Sequence, residues 1–124
     1  MSGTNPAYFK ITGRHWMNRS NIWGLSDAPH AYLMMSFDHA TRLSKPLNVG
    51  RAIGKEGLRQ RMKQRYQDPD RYLSPLEKQA LSEGLELFFW GIPCPSKDEA
   101  KVVEAYLIKT LQPPGNRRVE TMIN

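Results

Sequence analysis

The chain has 124 residues, a length that fits one ordinary domain with one modest hydrophobic core. Apolar residues make up 40% and charged residues 24%, a globular balance that excludes a disordered chain. Eighteen Lys and Arg against twelve Asp and Glu give a formal charge of +6 and a pI of about 9.7, which favours a polyanionic partner without naming one.

No apolar run approaches the ~20 residues of a membrane-spanning helix, so no membrane partner is expected. The N-terminal stretch MSGTNPAYFKITGRHW lacks a basic segment followed by an apolar one, so no secretion signal is read there. The single cysteine, Cys94, cannot form an internal disulfide, and a reducing, cytoplasmic setting is the simplest expectation.

In chain order, residues 7–12 (AYFKIT) alternate in part and predict a short strand. Residues 13–30 scatter Trp16, Met17, Ile22 and Trp23 among Asn, Ser, Gly and Pro, the pattern of a long arm anchored by aromatics. Residues 31–36 (AYLMMS) predict a strand, 37–46 a polar connection and 47–50 (LNVG) a second short strand, together an antiparallel hairpin. Residues 57–66 (GLRQRMKQRY) are good helix formers, with Leu58, Met62, Arg65 and Tyr66 near one face. Asp68-Pro69-Asp70 breaks that helix. Ser74-Pro75-Leu76-Glu77 is a capping-box start with proline at the first helical position, for a helix that runs to about Glu83 and stops at Gly84. Residues 85–92 (LELFFWGI) read as a central strand ended by Pro93 and Pro95. Ser96 with Glu99 opens a last helix through about Leu111, stopped by Pro113-Pro114-Gly115. Strands interleaved with helices in this order give a small α+β or three-layer domain.

Several chemical readings fail on spacing. His15, His30 and His39 are scattered, without zinc-ligand spacing. Asp38 and His39 are neighbours, and neighbours in a strand point to opposite faces, which argues against a dyad. Cys94 between two prolines has no visible base and reads as a structural thiol. The glycines of residues 50–57 (GRAIGKEG) lack the spacing of a phosphate-cradling loop. No helix-turn-helix or zinc-finger pattern offers sequence readout.

Three separated pieces fit one pattern. The first is Pro29-His30-Ala31-Tyr32-Leu33-Met34. The second is Asn48-Val49-Gly50-Arg51-Ala52 followed by Leu58-Arg59-Gln60-Arg61-Met62. The third is Glu104-Ala105-Tyr106-Leu107-Ile108, ending in Pro113-Pro114-Gly115-Asn116. In this order they resemble the GIY-YIG endonuclease superfamily over about residues 29–116. The pieces correspond to its opening tyrosine strand, its Y-[IV]-G strand with the helix carrying L-x-x-R, and its third helix with the E-x-x-[LI]-I and P-x-x-N signatures. Two departures stand out. Asn48 replaces the second motif tyrosine, and Arg65 occupies the position four residues after the arginine where histidine or tyrosine is usual, with Tyr66 one further on.

The resemblance implies a central antiparallel sheet of about three strands flanked by helices over residues 29–118. Residues 1–28 would form an N-terminal arm or extra strand, and residues 119–124 a tail. It implies phosphodiester hydrolysis with one divalent ion, Mg²⁺ or Mn²⁺. Glu104 would hold the metal, an arrangement common for Mg²⁺, and Arg61 would clamp the scissile phosphate as a planar, permanently charged donor. Tyr32 would sit at the attacking water, Asn116 would fix the end of the third helix against the site, and Tyr66 would substitute for the missing phenol. Taken without the resemblance, the same residues have plain readings: Glu104 as a solvated edge of an apolar stripe, Arg61 as one charge on a basic helix, Tyr32 as core packing and Asn116 as a turn residue.

Lys55, Arg59, Lys63 and Arg65 surround Arg61 with Glu56 as the sole acid, and Arg117 and Arg118 follow Asn116. With Arg51 they predict a phosphate-binding face, for DNA sooner than RNA. The alternative expectation is a catalytically degenerate domain that binds nucleic acid or a protein. Trp16, Trp23 and Trp90 are expected as core or arm anchors, with base stacking a minor role for the first two.

Overall fold

Two apolar strands, each alternating between two helical layers, organise the molecule. The computed structural model describes residues 14–116. The elements are β1 (Arg14–Trp16), α1 (Arg19–Trp23), β2 (His30–Asp38), β3 (Leu43–Ala52), α2 (Gly57–Gln67), α3 (Pro69–Tyr72), α4 (Pro75–Ser82), β4 (Glu86–Pro93) and α5 (Lys97–Leu111), followed by a 3-10 turn at Pro114–Asn116. The strands form an antiparallel sheet of order β1-β4-β2-β3, so β2 and β4 are interior and β3 is an open edge. The chain is thus α+β, with four strands among the described residues. The additional strand is β1, which pairs with β4 through Arg14–Trp90 and Trp16–Phe88.

Alternation on the strands divides the core in two. Tyr32, Met34 and Phe89 point to the layer of α1, α2 and α4, where they pack with Ile22, Leu58, Met62 and Ala80. Ala31, Val49 and Ile92 point to the opposite face and meet Ala100, Val103 and Leu107 of α5. The helix starts are those expected. Ser74 accepts from the Glu77 N–H while Glu77 accepts from the Ser74 N–H, a complete capping box. Ser96 accepts from the Glu99 N–H and starts α5. Gln112, in the left-handed region at φ 44°, ends it where the sequence turns to proline.

The structure differs from the sequence reading in three places. Residues 37–46 are mostly strand, because β2 and β3 continue pairing out to Asp38 opposite Leu43. The arm contains β1 and a one-turn helix capped by Asn18, whose side chain accepts from the Asn21 N–H. After Asp68 the chain forms the short α3 before α4 begins. The strand expected over residues 7–12 lies outside the described residues, as do Arg117, Arg118 and the tail. No helix among the described residues is long and apolar enough to cross a membrane.

His30 is buried at the start of β2, and its Nδ1 lies 2.8 Å from the Ala28 carbonyl. A carbonyl only accepts, so Nδ1 carries the hydrogen. Burial pushes the His30 imidazole below its ordinary value, with the Ala28 bond opposing; burial and the neighbouring His30 also push His15 down. The folded state therefore resists binding protons that the unfolded chain takes up below about pH 6.5. Stability is expected to be level above that pH and to fall as the pH drops through it towards the lower folded values. Thermal melts between pH 8 and 5 check this, and a His30→Asn variant should show a shallower decline.

Candidate functional site

β3 is an edge strand, so its backbone groups at alternate residues face away from β2. Asn116 and Arg61 bind that open edge. The Asn116 carboxamide oxygen accepts from the Val49 N–H at 2.6 Å, and its nitrogen donates to the Val49 carbonyl at 2.9 Å. One side chain thereby stands in for a neighbouring strand and fixes the turn after α5 against β3. Two residues along, Arg61 Nη2 donates to the Arg51 carbonyl at 3.5 Å. Val49 and Arg51 share a sheet face, the α5 face, and Arg51 Nη1 meets Glu104 Oε1 at 2.7 Å. Residues from α2, β3, α5 and the final turn thus gather around residues 49–51.

The other face of the same stretch carries a buried polar chain. Tyr32 is opposite Gly50 across the sheet, and a methyl group at position 50 would collide with its phenol. Gly50 therefore has to be glycine for the ring to lie as it does. The Arg65 guanidinium sits 5.2 Å from the Tyr32 ring centre. Arg65 Nε also donates to Glu77 Oε2 at 3.3 Å, and the two side chains are 9% and 0% exposed. Burial alone would push the Arg65 guanidinium down; Tyr32 and Glu77 more than offset this and hold it up. Ser74 Oγ in turn donates to Asn48 Oδ1 at 3.3 Å. Asn48, in the place of the second motif tyrosine, is thus tied to the start of α4, and Gly115 packs against its Cβ closely enough that a side chain there would clash.

The site residues expected from the sequence divide accordingly. Arg61, Glu104, Asn116 and Arg51 converge on the β3 edge, whereas Tyr32, expected at the attacking water, is 3% exposed in the core cluster on the sheet face opposite α5 and reads instead as core packing. Tyr66 does not join them: it points away on α2, 43% exposed and edge-on to Trp23. Arg65 is buried and paired, so it is withdrawn from any phosphate-binding face. Arg59 is engaged with Asp27, Glu56 and the Leu25 carbonyl, and Lys63 lies over the Trp23 ring, while Lys55 is exposed. Among the described residues no group of three or more His, Cys, Asp or Glu could enclose a metal. The lone Glu104 carboxylate fits only an ion that keeps most of its waters and takes its remaining ligands from a phosphate, which is magnesium or manganese behaviour rather than zinc.

Sequence reasoning missed the Arg65–Glu77 pair and the Arg51–Glu104 contact. A signal for the second was present, since Val49 and Arg51 are two apart on a strand and share a face. Cys94 is buried, its thiol donating to the Ile92 carbonyl and pushed up by burial, which suits the inert thiol expected. His39 contacts Glu86 at 2.6 Å at the far end of β2 and takes no part in the β3 site.

Removing the Asn116 carboxamide leaves the Val49 N–H without its partner on a buried residue. Asn116→Ala is expected to cost about 1–3 kcal/mol in chemical denaturation and to speed amide exchange at Val49.

No protein-family model, curated protein or solved structure matches this chain.

Proposed function

We propose that the chain is a divalent-metal-dependent endonuclease of GIY-YIG type that hydrolyses phosphodiester bonds, most readily in DNA. The observation that carries the reading is the convergence of Arg61, Glu104 and Asn116, residues far apart in sequence, on one short stretch of β3 that Tyr32 underlies. These are the residues the resemblance singles out.

The division of work follows from side-chain chemistry. Arg61 supplies fixed positive charge and a planar donor to the phosphate whose charge grows in the transition state. Glu104 holds the Mg²⁺ or Mn²⁺ ion, which when bound supplies Lewis acidity and a more acidic water. Asn116 keeps the end of α5 and the open strand in register. Tyr32, clasped by Arg65, sets the position of Gly50 and the strand edge from below. The exposed Lys55, just before α2, attracts the backbone of the nucleic acid.

Incubation of supercoiled plasmid and of a short single strand with Mg²⁺, Mn²⁺ or EDTA tests the reading. Nicking that needs metal is expected, with binding that weakens steeply as salt rises. A second reading, a non-catalytic binding domain of the same fold, is favoured by one feature: Asn48 brings no phenol to the site and is spent on Ser74. It predicts salt-sensitive binding without turnover.

A further inference from the structure

Glu104 already has a cation. Its carboxylate lies 2.7 Å from Arg51 Nη1, with the side chains 18% and 43% exposed. Both groups are within reach of solvent, so the pair is exchangeable rather than locked. The backbone of the same Arg51 accepts from Arg61, which places the proposed phosphate clamp beside this ion pair. An ammonium or guanidinium on a carboxylate and a divalent ion on it exclude each other by charge: the ion would have to bind next to a positive group that occupies its ligand.

We propose that Arg51 is the resident counter-cation of Glu104, and that a phosphodiester draws it away so that metal and nucleic acid enter the site together. The inference rests on the nuclease reading above. In the free protein Arg51 neutralises Glu104 and keeps divalent ions weakly bound. When a phosphate arrives beside Arg61, the Arg51 guanidinium swings to its oxygens, where two arginines form a better clamp than one. The carboxylate left behind, next to a phosphate oxygen, is the site at which Mg²⁺ binds well. By linkage, each partner must then tighten the binding of the other by the same factor. A basic residue two positions after Val49 on the α5 face is therefore a regulator of metal loading as well as a phosphate ligand.

The test is Mn²⁺ binding to the full chain without nucleic acid, read by electron paramagnetic resonance of the free ion. Wild type, Arg51→Gln, Arg51→Lys and Arg51→Gln/Glu104→Gln are compared, each with a thermal melt as a fold check. Removing the competing charge should tighten Mn²⁺ about tenfold in Arg51→Gln, leave Arg51→Lys near wild type, and abolish the gain in the double variant. Equal or weaker Mn²⁺ binding by a folded Arg51→Gln protein would overturn the proposal and make Arg51 a tie between β3 and α5. If that result accompanies Glu104-dependent cleavage by the wild type, the nuclease reading stands without it. If cleavage is also absent, both fall together.

Discussion

Glu77→Ala is expected to destabilise the protein by about 3–5 kcal/mol, a large part of the 5–15 kcal/mol that holds a domain of this size. The carboxylate is fully buried and has two duties. One oxygen completes the cap of α4 on the Ser74 N–H, and the other accepts from Arg65. Removing it leaves the Arg65 guanidinium buried beside Tyr32 with no counter-charge, which is the costly way to break such a pair. Replacing both members, as in Arg65→Met/Glu77→Leu, removes the stranded charge and should recover much of the loss. Chemical denaturation of the two variants separates these cases. A Glu77→Ala loss below about 1 kcal/mol would mean that water reaches Arg65 when the carboxylate is gone.

That pair also marks where the sequence stops being informative. The Ser74–Glu77 capping box, the Ser96 cap of α5, the LELFFWGI strand and the proline-terminated α5 are set by local chemistry, and each appears within a residue or two of its expected place, although the Glu99 side chain does not complete a second capping box. The partnership of Arg65 with Glu77 is tertiary. Arg65 shares the buried helix face of Leu58 and Met62, which the helical spacing shows, but nothing local names the carboxylate that meets it there. The outer part of the β2–β3 hairpin was hidden for another reason. Residues 43–46 are exposed on both faces, so the strand carries no alternation and is held there by backbone pairing. The resemblance picked out Arg61, Glu104 and Asn116, and the fold brings these three to one stretch of β3. The burial of Tyr32 agrees with its plain reading as core packing, while the contact of Glu104 with Arg51 shows only once α5 is packed on β3.

Glu104→Ala is expected to lower cleavage by at least about a hundredfold to a thousandfold, the usual loss when a group that stabilises transition-state charge is removed. The fold should tolerate the change. α5 is anchored through Ala100, Val103 and Leu107, while Glu104 lies at the border of that face and is ion-paired with the half-exposed Arg51. Stability should therefore shift by no more than about 1 kcal/mol. DNA binding in EDTA should persist or strengthen, since Arg51 is released from its carboxylate. This combination separates a lost metal ligand from a damaged fold, in which binding, stability and cleavage would fall together. A parallel Arg61→Ala protein should lose both binding and cleavage, because its charge acts on the phosphate directly.

The most direct measurement is a time course of supercoiled-plasmid nicking by folded wild-type protein and folded Glu104→Ala protein, each in Mg²⁺, Mn²⁺ and EDTA. Nicking by the wild type in either metal, absent in EDTA and lost in the variant, is the predicted result. Absence of cleavage by the wild type in every metal, or equal cleavage by the two proteins, would contradict the assignment of Glu104 as the metal-holding residue of a nuclease.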